Sequence, residues 1–173
     1  RNSEGSGFSD SLIHTTYANT RGACSSYSKT LASLWVAPLA EMEGRKQRDS
    51  WLTTHPDFSR LQSPEEVGRE AARRALRRLG ALKLPTCEAP VVFDPRTAGA
   101  LLKHIAEAVS GTALLRRASF LMGKLGERIA SPLLTINDDA LLPFGLASRP
   151  FDAEGIPSQT TTVVRRGVLE SFL

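Results

Sequence analysis

The pattern of apolar and polar positions divides the chain into a β-rich start, a basic helix, a second helix and a β-rich end. From Phe8 to Trp51 the residues are mainly Ser, Thr, Tyr, Val, Leu and Ala, with few helix signals. Leu12–Tyr17 and Leu31–Val36 read as strands, with Trp35 and Trp51 as packing residues. The pattern changes at Ser63-Pro64-Glu65-Glu66. Ser63 can cap a helix, Pro64 suits the first helical position, and Glu66 completes a capping box. Val67, Ala71, Ala75 and Leu79 then recur every four residues, Ala72 and Leu76 widen the stripe, and Gly80 ends it, which predicts a helix near Pro64–Leu79.

Pro85 and Pro90 frame a linker around Cys87, and Ala89–Phe93 reads as a short buried strand. Asp94-Pro95 opens a second helix near Pro95–Ser110, with Asp94 as cap, Gly111 as its close, and Ala98, Leu101, Leu102, Ile105 and Val109 as the expected buried face. A further helical stretch would place Leu114, Leu115, Ala118, Leu121, Met122 and Leu125 inside, although Gly123 and Gly126 weaken it. Leu133–Ile136 reads as a strand, and Asn137-Asp138-Asp139 as a turn or exposed acidic loop. Two runs rich in Thr, Val and Leu, near Gln159–Arg165 and Val168–Phe172, meet at Arg166-Gly167, a hairpin turn signal. The fold class that follows is α+β, with antiparallel strands and a few packed helices.

Composition sharpens this in three ways. The chain has 173 residues, 41% hydrophobic and 23% charged, as in a soluble globular protein, and holds no apolar run long enough to cross a membrane. Cys24 and Cys87 are far apart and form no CxxC pair, so they read as free thiols of a reducing cytoplasm. The net charge is +4, and the polar face of the first helix carries Arg69, Arg73, Arg74, Arg77 and Arg78. Such a face permits a nucleic-acid or acidic partner. However, Glu66 and Glu70 stand at pairing distance along the helix and no aromatic residue interleaves the arginines to stack on bases, so a solvated face is the preferred reading.

Candidate chemistry is sparse. There is no G-x-S-x-G elbow and no phosphate-cradling glycine loop. Phe151-Asp-Ala-Glu-Gly-Ile-Pro157 is a bend that carries two carboxylates, held at the mouth of the predicted hairpin. Asp152 and Glu154 would share one side if extended and could do acid/base work; the alternative is that they cap the loop or pair with Arg149 or Arg165.

The run from Ser148 through Pro157, followed by Gly167-Val-Leu169, resembles the TldD/PmbA family, bacterial and archaeal proteins once called modulators of DNA gyrase and now read as metallopeptidases that work in pairs. Similar residues recur upstream at Asn2–Gly5, Gln47–Trp51, Glu66–Gly68, Arg78–Gly80, Pro90–Asp94, Val109–Leu114, Ser119–Leu121 and Leu134–Ile136. Family members are far longer, so the resemblance implies an internal fragment. It would hold the end of an N-terminal α+β domain (residues 1–88) and the start of a C-terminal domain (89–173).

In the TldD branch the second helix carries His-Glu-x-x-x-His, two metal-binding histidines and a general base. Anchored on His104, the corresponding positions here are Ile105 and Val109, neither able to ligate a cation or accept a proton. His104 and Glu107 are helical neighbours, but no second His-x-x-Glu pair faces them, so no metal is expected in this chain. The resemblance therefore implies a PmbA/TldE-like subunit without a cofactor of its own, with zinc in a TldD-like partner. Unfolded or modified peptides would be the substrate, Asp152, Glu154 and Gly155 would stand on the peptide-cleft loop, and pairing of two copies in isolation is left open. The alternative is a nucleic-acid or gyrase-associated module that uses the arginine helix.

Overall fold

A computed structural model describes residues 2–173. Two compact units form: Arg1–Pro85 with Leu141–Ser158, and Thr86–Ala140 with Gln159–Leu173. The architecture is α+β with antiparallel sheets, as the hydrophobic pattern predicts.

The first unit is built on a long antiparallel arm. Strand β1 (Asn2–Ala18) pairs with β2 (Cys24–Met42) from Asn2 opposite Leu39 to Ala18 opposite Cys24. The predicted strands lie inside these much longer ones, because the Ser- and Thr-rich flanks show no apolar alternation although their backbones pair. Asn19 closes the tip: its Oδ1 accepts from the Arg21 and Ala23 amides at 2.9 and 3.2 Å. On the other side of β2, β3 (Arg45–Arg48) pairs with Leu39–Met42 and β4 (Trp51–His55) with Ala32–Val36.

Helix α1 (Pro64–Arg77) packs on this sheet. The predicted capping box is present: Ser63 Oγ accepts from the Glu66 amide at 3.2 Å, and Glu66 Oε2 accepts from the Ser63 amide at 2.9 Å. Val67, Ala71 and Ala75, three of the four residues expected at the stripe's centre, are buried. Alanines there let the helix backbone lie close to the sheet.

The second unit holds α2 (Pro95–Ala108), α3 (Gly111–Leu115), β5 (Ile136–Asp139), β6 (Thr160–Arg165) and β7 (Val168–Leu169). The three strands form one sheet in that order. Val163 and Val164 are adjacent in β6, point to opposite faces, and are both buried, so the strand is covered on both sides. With Leu169, Leu121, Ala108 and Val109 they make the core. The predicted hairpin turn is present, with Arg166 and Gly167 at φ 48° and 82°, the left-handed pair that a two-residue turn requires. A Cβ on Gly167 would also meet Ser131 O at 2.7 Å, so glycine is needed on two counts.

Four expectations are corrected. Ala89–Phe93 is neither strand nor buried, with Val92 97% exposed; among the described residues no strand takes up its backbone hydrogen bonds, and apolar residues alone do not make a strand. The expected helix through Leu125 stops at Leu115, beyond which Arg117 turns left-handed at φ 54°; of its expected inner residues Leu121 is buried, while Leu115 and Leu125 are exposed. The strand expected at Leu133–Ile136 is displaced to Ile136–Asp139, so the acidic stretch is a paired strand whose Asp139 Oδ1 accepts from Thr160 Oγ1 at 2.9 Å. Finally, Leu101 and Leu102 on α2 are exposed, and only the helix's last turn reaches the core.

Candidate functional site

Helix α2 forms because Asp94 caps it, with Oδ1 accepting from the Arg96 amide at 3.1 Å, and Pro95 starts it. Toward its C-terminal end its side chains divide sharply. Val109, where the resemblance would put the second metal ligand, is 1% exposed within the core, and Ile105, where it would put the base, packs against the same cluster. His104 and Glu107 are 73% and 60% exposed, with Nδ1 3.8 Å from Oε2, and Lys103 Nζ lies 3.6 Å from Glu107 Oε1. His104 thus stands in solvent. The helix offers one imidazole and one carboxylate already facing a lysine, and its two critical positions are aliphatic and turned inward. These residues do not fit a metal centre, and among the described residues no group of three or more His, Cys, Asp or Glu could hold one.

The carboxylate loop belongs to the first unit. Asp152 Oδ1 accepts from both the Glu154 and Ile156 amides at 2.9 Å, and the Asp152 amide donates to Ile156 O at 2.9 Å. One acidic side chain therefore shapes the loop, while Glu154 is exposed. The expected Arg165 partner is engaged elsewhere: its Nε donates to Glu170 Oε1 and Oε2 at 2.8 and 3.0 Å. Gly155, at φ 80°, lies against Tyr17, and an added Cβ would collide with that ring. Phe151 is buried, edge-on to Tyr27 at 5.2 Å and tilted against Tyr17 at 6.3 Å. His104 and Glu107 sit in the second unit and the loop residues in the first, so these are two separate local arrangements.

The arginine face of α1 is largely engaged. Arg73 forms a two-bond fork on Glu70 at 2.7 and 2.6 Å, which holds the Glu70 carboxyl below its ordinary value. Arg74 and Arg78 each lie 3.7 Å from Asp49, and Arg74 also covers the Trp51 ring at 5.4 Å. Trp51 Nε1 donates to Gln62 Oε1 at 2.7 Å, so the indole closes a polar network under the helix.

One feature escaped the sequence reading. An open apolar pocket of about 460 Å³ lies between the sheet and the start of α1, lined by Phe8, Leu34, Phe58, Leu61, Gln62 and Pro64 among others. Phe8 and Phe58 meet edge-to-face across it at 5.9 Å. Their separation of fifty residues hid this; the only available signal was two aromatics outside any amphipathic stripe.

Comparison with known proteins accounts for both units. Residues 1–79 match the family model of the PmbA/TldA metallopeptidase central domain, and residues 86–173 that of its C-terminal domain. The chain is 37% identical over 172 residues to the metalloprotease PmbA of Escherichia coli O157:H7, covering 99% of this chain and 38% of that protein. It is 34% identical over 167 residues to the metalloprotease TldD homologue of Haemophilus influenzae, covering 89% of this chain and 34% of that protein. Among solved structures, a Bacteroides thetaiotaomicron protein described as a candidate modulator of DNA gyrase superposes with TM-score 0.90 at 29% identity, over 96% of this chain and 38% of that one. TldE from Thermococcus kodakarensis shares the fold, with TM-score 0.87 at 21% identity, over 97% of this chain and 38% of that one. The chain spans roughly a third to two fifths of these relatives' lengths, and with both units matched it belongs to the PmbA/TldD metallopeptidase family.

Proposed function

We propose that the chain is part of a PmbA/TldE-like subunit of a TldD/PmbA metallopeptidase complex, acting in proteolysis and peptide maturation, and that it is the member without the metal motif. The observation that carries this reading is the placement of Ile105 and Val109. Water activation needs a ligand set and a base, and the helix that bears them in TldD-type members here turns aliphatic side chains into a core. Haemophilus influenzae holds both a PmbA homologue and a TldD homologue with similarity to this chain, which supports a division of labour between two members. Zinc and the general base would come from the TldD-like partner. The loop of Asp152, Glu154 and Gly155 would line or brace the shared peptide path.

The test uses the full-length protein with an unfolded peptide. Alone it should leave the peptide intact; with a TldD-like partner, cleavage should appear and be abolished by chelators. Asp152→Ala with Glu154→Ala should lower cleavage or weaken pairing while the partner keeps its metal. Chelator-insensitive cleavage by the protein alone would refute the reading. The nucleic-acid alternative has no comparable support, since three of the five arginines on α1 and its C-cap already face carboxylates.

A further inference from the structure

The β1–β2 arm changes character halfway along. Strand β4 ends at His55, opposite Ala32, so beyond that point residues 12–18 and 24–31 have only each other as strand neighbours among the described residues. A bare two-stranded ribbon is marginally stable in water. Yet on the face that carries Ile13, Thr15, Tyr17, Ser25, Tyr27 and Lys29, four residues (Thr15, Tyr17, Tyr27 and Lys29) are half-buried, while residues 12, 14, 16, 26, 28 and 30 on the other face are all exposed. Something covers one face only.

The cover is residues 141–158, whose contacts advance steadily outward along the arm. Phe144 comes first, stacked on His55 at 5.7 Å with the Arg60 guanidinium over it at 4.3 Å. Next, Lys29 Nζ donates to Leu146 O. Phe151 then reaches Tyr27 and Tyr17, and Gly155 lies on the Tyr17 ring. Each of these contacts uses a side chain on at least one of the two partners. The far end is stiffened from within, by the two amides on Asp152 Oδ1 and the bridge between Phe151 and Pro157. Phe144 sits at φ 59°, a left-handed backbone that an aromatic residue adopts only where its surroundings hold it.

We propose that residues 141–158 form a strap that clamps the outer half of the β1–β2 arm, and that Asp152 and Gly155 serve there as positioning residues: the aspartate shapes the loop and the glycine lets it seat on Tyr17. The segment is a separable restraint on the arm. With the strap seated the ribbon is held straight to its tip; with it lifted, the ribbon beyond Ala32 frays while the three-strand-wide base under α1 persists. This action is independent of whether the whole protein pairs with a TldD-like partner.

The experiment is amide hydrogen exchange on the full-length protein, wild type against Gly155→Val and, separately, Phe151→Ala. Gly155→Val forces a β-branched side chain into a left-handed backbone and into the Tyr17 ring, whereas Phe151→Ala removes the anchor without strain. Both variants should raise exchange in residues 12–18 and 24–31 by about tenfold or more, with residues 32–36, α1 and β6 unchanged. Trypsin should then cut first at Arg21 or Lys29. Unchanged arm protection in Phe151→Ala would overturn the proposal. So would a rise spread evenly through the first unit, because the segment would then be ordinary core and no separable strap.

Discussion

Helices α1 and α2 share their length and their start signals and differ in what surrounds them. Each has 14 residues, a proline in the first turn, and a side-chain cap, from Ser63 in one and Asp94 in the other. Helix α1 is the more polar of the two, yet it buries Val67, Ala71 and Ala75 against a sheet. Helix α2 displays Leu101 and Leu102 to solvent and touches its core only through Ile105, Ala108 and Val109. Caps and periodicity make a helix; they do not say how much of its apolar face finds a partner. Small residues settle the matter for α1, because alanines permit close approach to the sheet. On α2 the core is secured by Ile105, Ala108 and Val109 at the helix's C-terminal end.

The sharpest way to break the comparison is to write the metal motif into α2. Ile105→Glu with Val109→His places a carboxylate and an imidazole against Val163, Val164 and Leu169, and should destabilise the second unit by about 3 kcal/mol or more. Hydrogen exchange of β6 would read this, and stoichiometric zinc in a folded variant would refute it.

Next, Ala71→Leu should cost about 1–3 kcal/mol through overpacking, while Leu101→Ala should stay within about 0.5 kcal/mol. Urea unfolding followed by tryptophan fluorescence suits the first, since Trp35 and Trp51 are the only tryptophans and both lie in the first unit. Exchange in β6 suits the second.

The caps should erase the difference. Ser63→Ala and Asp94→Ala should each cost about 1 kcal/mol, and a large disparity would mean that tertiary packing controls one terminus.

The smallest effect is one of pH. The Arg73 fork lowers the Glu70 carboxyl from 4.5, so its contribution is fully present above that value and is lost as pH falls through the lower folded-state value. Glu70→Gln should flatten the acid limb of the α1 unfolding profile slightly; a steeper limb would contradict the assignment.

Much of this molecule was legible in advance where the deciding physics is local. The capping box at Ser63, the start at Asp94-Pro95, the Val67, Ala71 and Ala75 centre of the α1 stripe and the Arg166-Gly167 turn each depend on a few neighbouring residues, and each stands where the pattern puts it, whereas Leu76, expected to widen that stripe, is exposed. Other features required partners distant in sequence. Ala89–Phe93 has strand composition and no strand to pair with, whereas Ser- and Thr-rich flanks became strands because β1 and β2 pair along their whole length. The carboxylate loop read as part of the hairpin that follows it, but it packs with the arm, because Phe151 finds Tyr17 and Tyr27 more than a hundred residues away. Local rules carry energies tied to adjacent backbone groups. Burial and pairing depend on which surfaces the completed chain brings together, and only the tertiary structure decides that.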